Sequence, residues 1–306
     1  MRLSCTTKHM SFDLNTYLTD RRALIEAELV RVAAPDATVA DVPQTLRKAM
    51  TYSLLAGGKR LRPILALAGC EAVGGNHEVA LPLACALEMI HTYSLVHDDL
   101  PAMDNDDFRR GRPTSHKVFG EAMAILAGDA LLTEAFAVIS RCQAPPAVVV
   151  KVLGELATAV GAAGMVGGQV LDSESTGHKI DLALLRQIHN KKTGALLTVS
   201  VCTGARLGGA DEQAVASLRR YAEALGLAFQ IIDDILDVTA DLQTLGKDPG
   251  SDRAAGKTTY VDLLGIDGAR RQAIEVMNEG IAALEPFGAA AEPLRILGTY
   301  TIERRS

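Results

Sequence analysis

Two groups of carboxylates stand in otherwise apolar stretches of this 306-residue chain. Asp98, Asp99 and Asp104 form the first; Asp233, Asp234 and Asp237 form the second, 135 residues further on. The run Ala228-Phe229-Gln230-Ile231-Ile232 before the second group is apolar on nearly every side. Its acids would therefore leave water at a cost of several kcal/mol each unless paired. Two carboxylates about 5 Å apart at an effective dielectric of about 20 repel by roughly 3 kcal/mol more. A divalent cation removes both costs. The donors are all oxygens, with no matched histidines or cysteines, a set that suits Mg²⁺ holding a phosphorylated ligand better than zinc or a closed calcium cage.

Spacing supports convergence. Asp233 and Asp237 are i and i+4, within about 40° of each other on a helix face, and Gln230 lies on the same stripe one turn earlier. Asp98 and Asp104 are six apart, about 240° round an ideal helix, so they converge only if the helix breaks between them. Pro101 is placed to break it. A solvated helix terminus is the plain alternative for one such cluster, and two copies in apolar helices argue against it.

Cations complete the pattern. Gly57-Gly58-Lys59-Arg60-Leu61-Arg62-Pro63 is a glycine break followed by three basic residues, and Arg109-Arg110 follow the first acid group. Arginine forks bind phosphate bidentately and lysine binds it as a point charge. Each basic group alone reads as a solvated turn; beside two acid groups they read as receivers for two diphosphates, one bridged by metal and one held by protein cations. His91, seven residues before Asp98, nearly eclipses it on a helix and faces either the second diphosphate or a core partner.

The elements that carry these groups read as helices over residues 12–33, 44–56, 63–73, 78–98, 118–140, 146–171, 181–208, 211–237, 259–284 and 288–303, with no run of strand period. Glycine or proline punctuates most ends, as at Gly57-Gly58, Gly74-Gly75, Pro145-Pro146 and Gly208-Gly209. The expected class is all-α, a helical bundle around a central cavity. No linker, low-complexity segment or short repeat divides the chain, so residues 11–306 are expected to be one domain and 1–10 a disordered segment, with Met10 an alternative start. The formal charge of −6 argues against nucleic acid, and Cys5, Cys70, Cys85, Cys142 and Cys202 form no metal or disulfide pattern. Lys151, Glu155 and several glycines interrupt the apolar stretches, so no membrane span is expected. A soluble cytoplasmic protein fits.

The segments GGKRLRP (57–63), IHTYSLVHDDLPAMDNDDFRRGRPTSHKVFGE (90–121), GGQVLD (167–172), KTGAL (192–196), FQIIDDILD (229–237) and GKTTY (256–260) together resemble the motif set of short-chain trans-isoprenyl diphosphate synthases, most closely the bacterial farnesyl type. The resemblance runs in order from about residue 44 to the C-terminus, and six coincident motifs make it specific. It implies the isoprenoid-synthase bundle, about three Mg²⁺ ions per site and a homodimer. It implies that Asp98, Asp104 and Asp233, supported by Asp99 and Asp237, hold those ions on the diphosphate of an allylic substrate. Arg109, Lys192 and Lys247 would contact the same diphosphate. Lys59, Arg62, His91 and Arg110 would hold isopentenyl diphosphate. Thr193 and Gln230 would sit beside the allylic carbon, Lys257 would close the pocket, and Asp172 would stand behind it near Gln169.

Product length is expected to depend on the residues before the first acid pair. Tyr93, five before Asp98, lies roughly 7.5 Å deeper along a helix, where its ring makes a floor for a growing tail. That aromatic, with Leu100 to Met103 expanding the acid motif, resembles the farnesyl type. Small Ser94 and the stretch DNDDFRRGRPTSHKVFGE also resemble geranylgeranyl enzymes of plants and cyanobacteria. A class I terpene cyclase would not need the second diphosphate site, a di-metal oxidase would want Glu-x-x-His pairs, and a non-catalytic subunit would be expected to lack one acid motif.

Overall fold

A computed structural model describes residues 12–33, 42–239 and 256–304. The expected segment 1–10, Cys5, Met10 and Lys247 lie outside the described residues. The described chain is helical almost throughout: α1 Leu14–Ala33, α2 Gln44–Leu54, α3 Leu61–Ala72, α4 Leu81–Asp98, α5 Ser115–Phe119, α6 Glu121–Ile139, α7 Pro146–Val160, α8 Met165–Ser175, α9 Leu182–His189, α10 Ala195–Leu207, α11 Glu212–Thr239, α12 Tyr260–Ala282 and α13 Glu292–Glu303. One hydrophobic core runs from Tyr17 in α1 to Leu297 in α13.

Helices α3 and α10 are buried on every side, as an all-round apolar pattern requires. They cross backbone to backbone: a Cβ at Gly69 would strike the Val201 carbonyl, and one at Gly204 the Ala66 carbonyl. Around this pair, α4 carries an almost continuous buried run from Leu83 to Val96 and delivers Tyr93, Ser94 and Asp98 to its C-terminal end.

Four local differences from the expected elements have backbone causes. The span 146–171 splits into α7 and α8 because Gly161 and Gly164 leave helical geometry, at φ −82°, ψ −158° and φ −116°, ψ −120°. The span 118–140 breaks at Gly120, whose φ is +84°. The span 181–208 continues, but Asn190–Gly194 winds as a π-helix between α9 and α10, and hydrophobic period cannot reveal one extra residue in a turn. A two-residue hairpin, Phe108–Arg109 against Arg112–Pro113, was not expected. Its turn places Arg110 and Gly111 at φ +53° and +73°, the left-handed pair that a tight hairpin turn uses.

One expectation needs correction. The stretches His77–Asp98, Glu121–Ile139 and Pro146–Ser175 are each long and apolar enough to cross a membrane by length and composition. Lys151 and Glu155 are too few to disqualify the last. In the fold, 67%, 39% and 33% of their most apolar windows are buried, so the first serves the core and the other two keep an apolar face outward.

Candidate active site

The first acid cluster forms as Pro101 suggests. Helix α4 stops at Asp98, and the chain turns back so that the Asp104 N–H donates to the Asp98 carbonyl at 2.8 Å. Asp98 lines a cavity of about 550 Å³ together with Arg62, His91, Tyr93, Met165, Lys192 and Thr193. Burial pushes its carboxyl up to about 6, and Asp104 pushes the same way against the pull of Lys192. Asp99, one residue on, points elsewhere: its Oδ1 accepts from Arg109 Nε at 2.5 Å, and only 3% of the residue is exposed. Neighbours on a helix diverge by about 100°, which separates the two acids.

The second cluster rides on α11, which continues unbroken to Thr239. Its acids are not equally buried, contrary to the sequence expectation: Asp234 is 6% and Asp237 3% exposed, whereas half of the Asp233 side chain is open. Arg304 Nη2 lies 3.1 Å from Asp233 Oδ1 and also donates to the Phe229 carbonyl at 3.0 Å, with its guanidinium 4.1 Å above the Phe229 ring.

The π-helical turn supplies the link between the clusters. Thr193 Oγ1 donates to Gln230 Oε1 at 3.2 Å, one turn before Asp233, while Lys192 and Thr193 line the cavity with Asp98. Such turns recur at functional sites because they present side chains that regular α-geometry would not. Lys192 Nζ reaches Asp172 Oδ2 at 2.6 Å, and Lys257 Nζ lies 3.4 Å from the same oxygen. Burial alone would raise the Asp172 carboxyl, but the two ammonium groups outweigh it and hold the acid below the usual carboxylate range. Asp172 thus gathers two of the expected phosphate-binding lysines at one edge.

Opposite the acids is a cationic corner. Burial lowers Arg62 to about 10, and Arg110 pushes it further against the opposing pull of Glu88. Its Nε is buried without a hydrogen-bond partner. Burial and then Arg62 and Arg110 hold His91 well below its ordinary value, so the imidazole is neutral. Arg110 donates to the Gly57 carbonyl and packs where a Cβ on Gly58 would stand, 2.9 Å from its Cζ. Gly58 therefore needs both its φ of +138° and its missing side chain. Lys59 is exposed on that loop. A buried guanidinium with an unsatisfied N–H, crowded by a second guanidinium, is an anion site by chemistry.

Among the described residues no three acids, histidines or cysteines close on a point as a protein-only metal cage would. Half-buried Asp98 and exposed Asp104 instead offer an oxygen pair at the cavity mouth. This donor set fits a hard cation that takes its remaining ligands from a bound anion and water. Tyr93 is 7% exposed and forms the cavity wall one turn and a residue below Asp98, edge-on to His97 at 5.8 Å between rings. A larger groove of about 1110 Å³ lies between α7, α10, α11 and α12, but no expected site residue lines it.

Three roles escaped the sequence reading. Arg60 turns inward, with Nε 2.7 Å from Glu26 and Nη1 2.5 Å from Glu88; its φ of +51° marks it as the bend before α3. Asp234 accepts the Tyr260 N–H at 2.7 Å. Asp172 binds lysines rather than merely standing near Gln169. The doubled charges in the motifs, Lys59-Arg60 and Asp233-Asp234, were the available signal, since side chains of neighbours diverge by about 100° on a helix.

A polyprenyl synthetase family model matches residues 43–285. The chain is 53% identical over 297 residues to a dimethylallyltranstransferase of Fischerella ambigua, covering 96% of this chain and 84% of that protein. It is 47% identical to a chloroplastic geranylgeranyl pyrophosphate synthase of Capsicum annuum, over 99% of this chain and 82% of the other. Among solved structures, an FPP/GFPP synthase from Zymomonas mobilis superposes with a TM-score of 0.83 at 38% identity, covering 94% of this chain and 98% of its own. With matched sequence, matched fold and Asp98, Lys192 and Arg62 set round one cavity, this chain belongs to the polyprenyl synthetase family and is a prenyltransferase of the trans-prenyl diphosphate synthase kind.

Proposed function

We propose that the protein condenses isopentenyl diphosphate with dimethylallyl and then geranyl diphosphate to give farnesyl diphosphate. The observation that carries this reading is the single cavity shared by Asp98, Lys192, Arg62, His91 and Tyr93: an acid and lysine rim, a separate cationic corner and an aromatic wall. Mg²⁺ held by Asp98, Asp104 and Asp233 would supply Lewis-acid stabilisation of the departing allylic diphosphate. Lys192, with Arg109 and Lys257, neutralises charge on that diphosphate. Thr193 and Gln230 turn oxygens toward the allylic cation, and the apolar wall from Met165 to Val170 keeps water from it. Arg62, Arg110 and neutral His91 orient the isopentenyl diphosphate whose double bond attacks. The proton is lost last, to the diphosphate that left, so no protein base is invoked.

Tyr93 supports the farnesyl product because it closes the wall below the acids. A second reading, geranylgeranyl diphosphate, draws on the Capsicum relative and on Ser94, which also lines the cavity. We further propose a homodimer, in which a second copy covers Val118, Ile125 and Leu126, exposed at 46%, 44% and 53%. Light scattering after gel filtration tests the dimer. Mass analysis of the product made from isopentenyl diphosphate with each allylic starter, with and without Mg²⁺, tests the reaction: a C15 product supports the first reading, C20 the second, and no condensation with any starter removes both.

A further inference from the structure

We infer that Asp234 is a positioning residue that fastens the start of α12 to α11 and so sets Lys257 against Asp172 and Lys192 at the cavity edge. It sits between two acids expected to hold metal, yet its carboxylate is tied to backbone, unlike that of its open neighbour Asp233. Asp233 is half open while Asp234 is 6% exposed, as the turn of about 100° between neighbours demands. Its Oδ2 accepts the Tyr260 backbone N–H at 2.7 Å, one of the donors a helix start leaves without an internal partner.

The same helix start is also capped by its own residues. Thr259 and Asp262 form a capping box, with the Asp262 N–H donating to Thr259 Oγ1 at 3.2 Å and the Thr259 N–H to Asp262 Oδ2 at 3.0 Å. Asp234 is therefore the tie that joins this cap to another helix. Two further contacts stretch the preceding strap toward α8: the Gly177 N–H donates to the Gly256 carbonyl at 3.1 Å, and the Thr258 hydroxyl to the His178 carbonyl at 3.4 Å. Lys257 lies in the middle of this strap, 3.4 Å from Asp172. The Tyr260 ring, 2% exposed, packs 5.6 Å from the His189 ring, the residue just before the π-turn that bears Lys192 and Thr193. One carboxylate thus braces both lysines, one through the strap and one through Tyr260.

The inference rests on prenyl transfer as the reaction, and its test separates the two. Asp234→Asn keeps an oxygen for the Tyr260 N–H, whereas Asp234→Ala removes it. The alanine variant should lose roughly 10²-fold in kcat, as a misplaced catalytic group does, with little change in KM for isopentenyl diphosphate. The asparagine variant should stay within about tenfold of wild type, since a neutral acceptor still holds the amide. Because Asp234 acts through Lys257, adding Lys257→Ala to Asp234→Ala should cost no more than the worse single change. Half-saturation by Mn²⁺ with inorganic diphosphate, followed by electron paramagnetic resonance, should be unchanged in Asp234→Asn and raised in Asp233→Asn. In metal-free protein, Tm should fall for Asp234→Ala and hold for Asp234→Asn.

An asparagine variant as inactive as alanine, with a raised Mn²⁺ half-saturation, would make Asp234 a metal ligand and overturn the inference. Additive losses in the double variant would overturn the route through Lys257. Should the alanine variant not fold, the asparagine variant decides alone by the same two measurements. The Mn²⁺ and Tm readings stand even if the wild type makes no prenyl product, an outcome that would remove the proposed reaction instead.

Discussion

The first acid cluster gathers its carboxylates by ending a helix; the second strings them along a helix that runs on. At the first, Asp98 and Asp104 meet because the chain folds back after Pro101, and the spare neighbour Asp99 is tied to the side chain of Arg109. At the second, no break occurs, and the spare neighbour Asp234 is tied to backbone at Tyr260. The cationic corner repeats the division: Arg62 is left with an unsatisfied Nε, while Arg60 is absorbed by Glu26 and Glu88. Doubled charges in these motifs are pairs of unlike tasks, one toward the ligand and one toward the fold.

The strongest way to break this division is at the open acids. Asp98→Ala and Asp233→Ala should each cut turnover by about 10³-fold or more, the scale of removing a charge-stabilising group from a transition state, while metal-free Tm holds or rises. Loss of folding in either variant, seen by circular dichroism, would assign these acids to the core. Next in size, Arg60→Ala should destabilise the protein by about 3 kcal/mol in urea titration, because it leaves buried Glu88 with only the longer 3.8 Å contact to Arg110 Nη2. Arg62→Ala should instead leave Tm near wild type and raise KM for isopentenyl diphosphate by roughly 10- to 100-fold, with a much smaller effect on the allylic substrate. Equal effects on both substrates would dissolve the distinction between the two diphosphate sites.

Smaller effects sharpen it. Tyr93→Ala should change product more than rate, with C20 or longer chains appearing by mass analysis, and Tyr93→Phe should leave length unchanged. Continued termination at C15 in the alanine variant would move the floor elsewhere. Last comes pH. The Asp98 carboxyl rises from 3.8 to about 6 in the folded protein, so the folded state holds that proton more tightly than the unfolded chain. Metal-free protein should therefore lose stability as pH climbs from about 4 to about 6, and Asp98→Asn should flatten that slope in a Tm series. A slope equal in both proteins would place the titration on another group.

Much of the fold and site is legible in the residues themselves. Helical period and glycine punctuation locate nearly every helix, because each buries a wide apolar face whose repeat is fixed by geometry. The turn at Pro101 and the cavity position of Tyr93 follow from spacing, whereas the Thr193–Gln230 contact emerges only in the fold. What is not legible depends on partners far away in sequence. Nothing near Asp234 announces Tyr260, and nothing near Arg60 announces Glu26 or Glu88. The π-turn is hidden for another reason: its residues, Asn190-Lys191-Lys192-Thr193-Gly194, have no apolar repeat to betray a change of winding.

That turn also constrains how the gene can vary. Gly194 meets Gly226 of α11 so closely that a Cβ on Gly226 would lie 2.9 Å from its Cα, which fixes the register of everything after it. Loss of the codon for Asn190 or Lys191 would restore ordinary helix and keep the buried face of α10 where Gly194 pins it, but it would carry α9 about 100° round the axis. His189 would then swing off the Tyr260 ring it packs against although it had not been altered. In this segment the number of residues is as firm a constraint as their identity.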